Sequence, residues 1–333
     1  MQRLLICGTN WLGDSIMSMP ALQRLKRQSP DSHVTLLIKP AMVPLWEMHA
    51  AVDAIVPLSH GCGGMRTTVQ ALRREPFDRA VIFPNSFRSA LLPFLARIPQ
   101  RRGRAGHWRR ALLTECLAGR ATGDRSHQAR EYLSLLGLDR SAPLEPPAIV
   151  PPQMARDEAA RLLPVAEGAP WVAVMPGAAR GGSKRWPGDR FTDVARQLVA
   201  LHGVRVALLG TASEREACNP IAAALGAAAS NLAGQTSLAV LTAVLKRCRL
   251  ALTNDSGGMH LASAVGTPVV AIFGLTDPEL TGPLGRDDRI LCGAPPERRS
   301  RDIPRESAVA EEALRSVTAA EALAAAQDIL GAS

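Results

Sequence analysis

Residues 250–265, Leu-Ala-Leu-Thr-Asn-Asp-Ser-Gly-Gly-Met-His-Leu-Ala-Ser-Ala-Val, join an apolar strand to an apolar helix through a polar, glycine-bearing turn. The apolar residues predict a buried strand over 250–253 and a helix over 261–265. Gly266-Thr-Pro268 then ends the helix, and residues 269–273 predict a second buried strand. Apolar strands that alternate with helices are typical of parallel sheets covered on both faces, so this stretch indicates an α/β fold.

The turn between this strand and this helix is a candidate anion site. It lies at the carboxyl end of a strand and at the amino end of a helix, where unpaired N–H groups and the positive end of the helix dipole converge. Ser256 can cap the helix or donate to a phosphate oxygen. An ordinary capped turn is the alternative. The candidate ligand-binding residues are Asp255, Ser256, Gly257, Gly258 and His260.

The same alternation of strands and helices extends through the rest of the chain. In the first half the predicted strands are 4–6, 34–38, 54–58 and 79–83, and the predicted helices are 15–27, 65–74, 86–97 and 128–136. In the second half the predicted strands are 171–175 and 204–209, and the predicted helices are 190–202, 214–225 and 238–248. The pattern therefore predicts two α/β units of similar size.

A proline-rich segment, residues 141–152, separates the two halves. Proline stiffens a connector and builds no element there, so we predict an N-terminal domain over 1–150 and a C-terminal domain over 151–333. The alternative is a long surface loop within one domain. We expect two Rossmann-like domains that face a central cleft lined by the carboxyl ends of both sheets, where ligands of open α/β sheets bind. The alanine-rich region 309–330 predicts a final helix that packs across the two halves.

Asp14 is the candidate general base. The first predicted strand ends in Gly8-Thr-Asn-Trp-Leu-Gly-Asp-Ser15, which matches neither the dinucleotide-binding fingerprint nor the phosphate loop of nucleotide triphosphatases. An aspartate at the start of a helix can be a simple helix cap. When it is ionised beside a cleft, it can instead take a proton from a substrate hydroxyl.

The second domain begins with another glycine loop after a strand, at residues 175–187, which carries Lys184 and Arg185. Cations in a glycine loop suit a phosphate or diphosphate, although a solvated basic loop is the alternative. No D-x-D or H-E-x-x-H motif occurs, and Asp255 and His260 are poorly spaced for a shared metal ion. We therefore expect a metal-independent site without a cofactor.

An arginine-rich run occupies residues 101–110, and Arg88 lies a short distance before it. Such a run is either a solvated loop or a docking surface for phosphate and carboxylate groups, which the guanidinium group matches in geometry. The candidate contacts for an anionic substrate are Asn85, Ser86, Arg88, Arg101 and Arg104, with Arg102 and Arg109 in the same run.

Composition limits the kinds of partner and the location. The net charge of +9 and an isoelectric point near 9.9 favour polyanionic partners. Aromatic residues make up only 4% of the chain, which argues against a stacking platform for single-stranded nucleic acid. No apolar run approaches the ~20 residues of a membrane span, and the N-terminus lacks a secretory signal pattern. We therefore expect a cytoplasmic protein with no transmembrane segment and no nucleic-acid partner.

Taken in order, these motifs resemble those of the ADP-heptose:lipopolysaccharide heptosyltransferases, which are glycosyltransferases of the GT-B fold. The resemblance is carried by Asn10-Trp-Leu-Gly-Asp14, Met17-Ser-Met-Pro-Ala-Leu22, residues 83–91, Lys184-Arg-Trp-Pro187, residues 253–260 and residues 273–278. The opening motif and the Pro-Asn-Ser-Phe-Arg segment are more similar to the second heptosyltransferase, which extends an existing heptose, than to the first. Leu275 departs from the family, which often has a small residue or proline there.

The resemblance implies an inverting transfer of heptose from ADP-L-glycero-D-manno-heptose to the inner core of lipopolysaccharide. Asp14 then deprotonates the acceptor hydroxyl, and Lys184 contacts the donor diphosphate. The N-terminal domain binds the anionic acceptor, the C-terminal domain binds the ADP-sugar, and the protein is associated peripherally with the inner membrane. The implied donor-binding residues are Lys184, Glu214, Asp255, Ser256, Gly257, Gly258 and His260, with Glu214 at the adenosine ribose.

Three other functions stay open at this point. The first is transfer of heptose to a protein, against which neighbouring core-polysaccharide genes would argue. The second is a sugar-nucleotide epimerase of the same fold, which should carry acid–base pairs in both halves. The third is a non-catalytic nucleotide-binding protein, which turnover of an ADP-sugar would eliminate.

Overall fold

The computed structural model describes residues 2–61, 63–106, 108–119, 123–164, 169–293 and 303–331. The chain divides into two compact units, Met1–Glu145 and Pro146–Ser333. Residues 141–152 contain no helix or strand, in agreement with their high proline content. The division therefore falls within the proline-rich segment, slightly before the predicted boundary at 150.

The N-terminal unit is a parallel sheet with helices between its strands. The strands are β1 Arg3–Cys7, β2 His33–Ile38, β3 Ala54–Pro57, β4 Arg79–Ile82, β5 Gln100–Arg104 and β6 Glu115–Leu117. The α-helices are α1 Leu12–Gln28, α2 Val43–Trp46, α3 Gly64–Arg73, α4 Phe87–Leu95 and α5 Ala129–Leu136. The six strands are arranged in the order β3-β2-β1-β4-β5-β6.

The C-terminal unit repeats this architecture. The strands are β7 Trp171–Met175, β8 Arg205–Leu208, β9 Ala229–Asn231, β10 Cys248–Asn254, β11 Val269–Phe273 and β12 Arg289–Cys292. The α-helices are α6 Gln153–Leu162, α7 Gly188–His202, α8 Arg215–Leu225, α9 Leu238–Arg247, α10 Gly257–Ala264, α11 Pro278–Thr281, α12 Ala308–Ser316 and α13 Ala319–Gly331. The sheet is parallel in the order β12-β11-β10-β7-β8-β9. Among the helices of the described residues, none has both the length and the apolar composition needed to cross a membrane.

Both sheets have the same strand order when each is counted from its own first strand. That order, 3-2-1-4-5-6, is the order of doubly wound dinucleotide-binding folds. The direction of winding reverses between β1 and β4 in the N-terminal unit, and between β7 and β10 in the C-terminal unit. Ligands of such sheets bind outside the carboxyl ends of the strands at these switch points, so the fold marks one candidate position in each unit.

The final helical region differs from the single helix predicted for residues 309–330. It forms two helices, α12 and α13, because Thr318 and Glu321 make a capping box that starts a new helix. The Glu321 carboxylate accepts from the backbone N–H of Thr318 at 2.8 Å, and the Thr318 hydroxyl accepts from the backbone N–H of Glu321 at 3.2 Å. The second of these helices, α13, packs against α7, β10, β11 and β12 of the C-terminal unit.

Strand β5 includes residues 101–104 of the arginine run that the sequence suggested as a loop or a docking surface. Its sequence, Gln-Arg-Arg-Gly-Arg, has no apolar alternation, so no pattern indicated a strand. Cross-strand ion pairs stabilise it instead, because Glu115 on β6 binds Arg102 on β5 and Arg79 on β4, each at 2.9 Å.

Candidate functional site

Three loops of the C-terminal unit follow neighbouring strands at one edge of the sheet. Residues 176–187 follow β7, residues 209–214 follow β8, and residues 255–256 follow β10. The carboxyl ends of parallel strands point the same way, so these loops lie side by side at the switch point. The structure thereby brings together three residues predicted for donor binding, Lys184, Glu214 and Asp255.

Lys184 and Asp255 form a buried ion pair at this switch point. The lysine is only 9% exposed and the aspartate 7% exposed. The backbone N–H of Asp255 donates to the carbonyl of Ile272 on β11 at 3.0 Å, which fixes the turn against the sheet. The alternative of a solvated basic loop is therefore wrong for Lys184, although it holds for the exposed Arg185.

Asn254, the last residue of β10, organises the site although it was not among the predicted site residues. Its side chain is fully buried. The amide nitrogen donates to the carbonyls of Pro176 and Gly177 at 2.8 and 3.2 Å, and the amide oxygen accepts from the backbone N–H of Trp186 at 2.9 Å. Both ends of the Lys184 loop are thus attached to β10. The signal in the sequence is an asparagine at the end of a largely buried strand.

Helix α10 begins at Gly257, four residues before the predicted start at Leu261. Gly257, Gly258 and His260 therefore belong to the helix and not to the turn. Ser256 occupies the N-cap position, and its side chain makes no capping hydrogen bond. A Cβ on Gly258 would approach Met175 Sδ to 2.8 Å, so glycine allows the helix to pack closely on the end of β7. The N-terminus of α10 thus lies beside the Lys184–Asp255 pair.

Glu214 connects the loops that follow β7 and β8. Its carboxylate accepts from the backbone N–H and the hydroxyl of Thr211 at 2.8 and 2.9 Å, as part of a capping box. A Cβ on Gly177 would overlap that carboxylate, so the side chain runs directly against the loop that carries Lys184. Glu214 therefore lies against the loop that carries Lys184, another residue predicted for donor binding.

A segment near the C-terminus braces the Lys184 loop. The hydroxyl of Ser183 donates to the carbonyl of Pro304 at 2.6 Å, and its backbone N–H donates to the carbonyl of Arg305 at 3.1 Å. The backbone N–H of Gly182 donates to Glu306 Oε1 at 3.3 Å. The position of Lys184 thus depends on contacts from residues 304–306 as well as from β10.

A cavity of about 700 Å³ lies on the α7 and α8 side of the same loop. Trp186, Pro187, Pro220 and Ile221 form much of its wall. It contains none of the residues predicted for donor binding, and its lining is mostly apolar. The candidate donor site is therefore defined by the switch point and its charges, and not by this cavity.

In the N-terminal unit, Asp14 lies at the corresponding switch point, after β1 and next to the loop that follows β4. It occupies the first turn of α1, whereas Trp11 occupies the N-cap position. The alternative that Asp14 is the helix cap is therefore wrong. Its Oδ1 accepts a hydrogen bond from Gln128 Nε2 at 2.8 Å.

Arg109 is a structural residue, and not the surface contact that the arginine run suggested. It is fully buried, and burial lowers the pKa of its guanidinium group. The guanidinium donates to the carbonyl of Arg104 at 2.9 Å, to Asn85 Oδ1 at 3.1 Å and to the carbonyl of Pro84. It therefore holds the loop between β4 and α4 in shape.

The residues predicted for acceptor binding differ in their surroundings. Ser86 caps α4 by accepting from the backbone N–H of Ser89 at 3.2 Å, and Asn85 binds Arg109 as described. Arg88 is exposed in the first turn of the same helix. Its helix follows β4, the neighbour of the strand that precedes Asp14. Of the residues predicted for acceptor binding, Arg88 is therefore the one with an exposed charged group near Asp14.

Arg101 and Arg104 have partners inside the N-terminal unit. Arg101 donates to the carbonyls of Ile98 and Leu112, the former at 2.5 Å and the latter at 2.8 Å. Arg104 is 8% exposed and donates to the carbonyl of Ala118 at 2.7 Å. These contacts stabilise β5 and its neighbours, and they do not support the acceptor role predicted for the two side chains. His107, within the same run, lies outside the described residues.

Within the described part of the chain, no group of three or more His, Cys, Asp or Glu side chains is placed to hold a metal ion. Positive charge at the candidate donor site comes from Lys184 and from the first turn of α10. A lysine ammonium group and a helix N-terminus are groups that bind phosphates in proteins.

Comparison with solved structures defines the class of protein. The structure described as "E. coli ADP-heptose lps heptosyltransferase II" aligns with a TM-score of 0.85 and 29% sequence identity, over 100% of this chain and 99% of that chain. A heptosyltransferase described as "E. coli heptosyltransferase WaaC with ADP" shares the fold, with a TM-score of 0.75 and 20% identity over all of both chains. The chain is therefore an α/β glycosyltransferase with the two Rossmann-like units of the GT-B class.

Sequence comparison defines the family. The family profile described as glycosyltransferase family 9 (heptosyltransferase) matches residues 65–308. The chain is 33% identical to lipopolysaccharide heptosyltransferase 2 of Salmonella typhimurium over 311 residues, which cover 87% of each chain. It is 32% identical to lipooligosaccharide heptosyltransferase 2 of Haemophilus influenzae, over 86% of this chain and 88% of that one. The chain belongs to glycosyltransferase family 9, the heptosyltransferases.

Proposed function

We propose that this protein transfers heptose from ADP-L-glycero-D-manno-heptose to an existing heptose in the inner core of lipopolysaccharide, with inversion at the anomeric carbon. The observation that carries the proposal is the buried Lys184 at the switch point of the C-terminal unit, beside the N-terminus of α10. The names of the relatives, lipopolysaccharide and lipooligosaccharide heptosyltransferase 2, support the choice of donor and acceptor.

The C-terminal unit holds the donor in this proposal. Lys184 and the N–H groups of the first turn of α10 neutralise the diphosphate as the bond to the sugar breaks, which is electrostatic stabilisation of the leaving group without a metal. Asp255 keeps Lys184 in place through the ion pair. Ser256, Gly257, Gly258 and His260 line the same helix terminus. Glu214 accepts from the hydroxyls of the adenosine ribose.

The N-terminal unit holds the acceptor. Asp14 takes the proton from an acceptor hydroxyl, and the hydroxyl oxygen forms a bond to the anomeric carbon. The bond between that carbon and the diphosphate breaks with its electron pair on the phosphate oxygen, and ADP leaves. Arg88, with its exposed guanidinium, contacts an anionic group of the core, while Asn85 and Ser86 shape the adjacent loop.

The location proposed is the cytoplasmic face of the inner membrane, with peripheral attachment. Three exposed aromatic side chains follow neighbouring strands at the carboxyl edge of the N-terminal sheet. They are Trp11 after β1, Phe87 after β4 and Trp108 after β5, and Trp108 is 96% exposed. Aromatic rings of this kind favour the headgroup region of a bilayer, and the net charge of +9 favours an anionic surface.

Product analysis with defined acceptors tests the proposal. The purified protein is incubated with ADP-heptose and either a core oligosaccharide that ends in one heptose or the same core without heptose, with and without excess chelator. We expect a mass increase of one heptose on the first acceptor, no transfer to the second, and unchanged activity in chelator. Transfer to the heptose-free core, transfer only to protein, or epimerisation of the sugar nucleotide would each contradict the proposed reaction. Loss of activity in chelator that returns with magnesium would contradict the metal-free donor site.

A further inference from the structure

The carboxylate of Asp14 is held by a side chain from a different helix. Gln128 Nε2 donates to Asp14 Oδ1 at 2.8 Å, and the two residues are 114 positions apart in the chain. Helix α5, which Gln128 precedes, packs against α1, which carries Asp14. The contact therefore forms only in the folded unit, and local sequence does not create it.

The amide of Gln128 has one orientation that satisfies both of its neighbours. The same Nε2 also donates to the hydroxyl of Tyr132 at 3.0 Å. A side-chain NH₂ group has two protons, so one is available for each partner. The reversed amide would turn its oxygen toward the Asp14 carboxylate and place two acceptors face to face. The charge of Asp14 thus selects the orientation in which Gln128 donates.

Tyr132 fixes the other side of this contact. It is 4% exposed, and its ring packs on Phe83 with 4.9 Å between ring centroids. Burial, and next the neighbouring Asp14 carboxylate, raise the pKa of Tyr132 well above its ordinary value, so the hydroxyl stays protonated at neutral pH. A neutral, immobile phenol is a stable acceptor for Gln128.

Helix capping does not explain the position of this side chain. Gln128 is the N-cap residue of α5, but it makes no side-chain capping hydrogen bond. The preceding residue supplies that bond, because His127 Nδ1 accepts from the backbone N–H of Ala129 at 3.1 Å. The described hydrogen bonds of the Gln128 amide go to Asp14 and Tyr132 instead.

We propose that Gln128 is a positioning residue that orients the Asp14 carboxylate toward the acceptor hydroxyl. The inference rests on the proposed role of Asp14 as the base. A hydrogen bond from an amide restricts rotation of the carboxylate and favours its ionised form, which is the form that accepts a proton. In this role Gln128 acts on the reaction through Asp14 and not by contact with either substrate.

Two substitutions of similar size separate this role from a merely structural one. Gln128→Met removes the donor, and we expect kcat to fall about tenfold, the effect of losing one hydrogen bond to a charged group, with the acceptor KM and ADP affinity within about twofold of wild type. Gln128→Glu places a second carboxylate against Asp14, and we expect a larger loss of kcat. If the site needed only a polar side chain of this size, Gln128→Glu would be the milder change.

The matched control is Gln153→Met. Gln153 is exposed, begins α6 and donates to the carboxylate of Asp157 at 2.6 Å, so it repeats a glutamine–aspartate contact far from Asp14 in the chain. We expect wild-type kcat in this variant. Thermal unfolding of all variants shows whether Gln128→Met folds. If it does not, Tyr132→Phe, which keeps the ring and removes one partner of the amide, is expected to lower kcat by a smaller factor at unchanged KM.

The outcomes separate the two proposals. Wild-type kcat in folded Gln128→Met, or in folded Tyr132→Phe where the first variant fails to fold, would overturn the positioning role while Asp14→Asn stays inactive. A smaller loss in Gln128→Glu than in Gln128→Met would also overturn it. Near-wild-type turnover in Asp14→Asn would instead overturn the base assignment on which the positioning role rests.

Discussion

At the residue scale, the ion pair between Lys184 and Asp255 has two separable effects. Both charges are almost fully removed from water, so each depends on the other for compensation. In the proposed donor site, the diphosphate interacts with the positive charge of the lysine and not with the aspartate. A substitution of the lysine alone therefore changes stability and binding together, and a paired substitution is needed to distinguish them.

We expect Lys184→Met to lower the free energy of unfolding by about 3–5 kcal/mol, since it leaves the Asp255 carboxylate buried and unpaired. In the double variant Lys184→Met with Asp255→Asn, most of that stability should return, because no buried charge is left. Denaturant unfolding measures this recovery. ADP affinity measured by calorimetry should stay low in both variants, and wild-type ADP affinity in the stable double variant would contradict the role of Lys184 at the diphosphate.

Asp14 allows a cleaner test, because its replacement by asparagine preserves the hydrogen bond that the structure shows. The asparagine Oδ1 can still accept from Gln128 Nε2, so the fold of α1 and α5 should be unchanged. We expect Asp14→Asn to lower kcat by on the order of 10²–10⁴, the usual contribution of a general base, because an amide cannot take the proton. Calorimetry should give unchanged ADP affinity. Turnover close to wild type would show that another group removes the proton.

At the scale of helices and strands, the sequence predicted the bounds most precisely for the strands whose residues are uniformly buried. The predicted strands at 171–175 and 269–273 are confirmed to the residue as β7 and β11, because both faces of these strands lie in the core and every position is apolar. The sequence did not predict β5, because its arginines pair with Glu115 across strands and leave no apolar pattern. The alanine-rich composition of residues 309–330 predicted one helix in place of α12 and α13, since both are rich in alanine and only a capping box separates them.

For the candidate site, the sequence predicted the loops but not the side-chain contacts that support them. Loops that follow apolar strands are visible in the sequence. The structure places Lys184 and Asp255 in such loops and Asp14 in the first helical turn after one, all at switch points. The supporting contacts were not predictable. Asn254 binds the carbonyl of Pro176, 78 positions earlier, and Gln128 binds Asp14 from 114 positions away. Local periodicity contains no information about side-chain partners at these separations.

The contact between the loops after β7 and β8 gives a prediction at this scale. Gly177→Ala introduces a Cβ where the Glu214 carboxylate lies, and should displace that side chain. If Glu214 binds the adenosine ribose, we expect ADP affinity to fall roughly fivefold, about 1 kcal/mol, as for one lost hydrogen bond. Calorimetric ADP titration measures the change.

Gly188→Ala is the matched control for that substitution, because a Cβ there meets open space in the same segment of the chain. It should bind ADP like wild type. The double variant Gly177→Ala with Glu214→Ala should bind ADP no more weakly than Glu214→Ala alone, since the alanine at 177 then has nothing to displace. An additive loss in the double variant would contradict a mechanism that acts through Glu214.

At the scale of the whole molecule, two units with the same strand order have different charged groups at their switch points. The C-terminal unit presents a buried cation and a helix N-terminus, which suit a compact diphosphate. The N-terminal unit presents Asp14 and, in the first turn of α4, the exposed Arg88. Buried charges are screened little by salt, whereas exposed charges are screened strongly. Ionic strength should therefore affect the two substrates differently.

We expect the acceptor KM to rise with ionic strength, because added salt screens the attraction between an exposed guanidinium and an anionic core. The Debye length is about 8 Å at physiological ionic strength and becomes shorter as salt is added. The ADP affinity should change less, since Lys184 is buried.

Arg88→Ala should raise the acceptor KM at low salt and flatten its dependence on salt. Arg74→Ala removes the same charge from an exposed position just before β4, and it should leave the slope unchanged. Steady-state kinetics between low and high salt measure both slopes. Equal slopes for Arg88→Ala and Arg74→Ala would indicate that net charge alone attracts the acceptor, and a salt response seen mainly in ADP affinity would reverse the substrate roles of the two units.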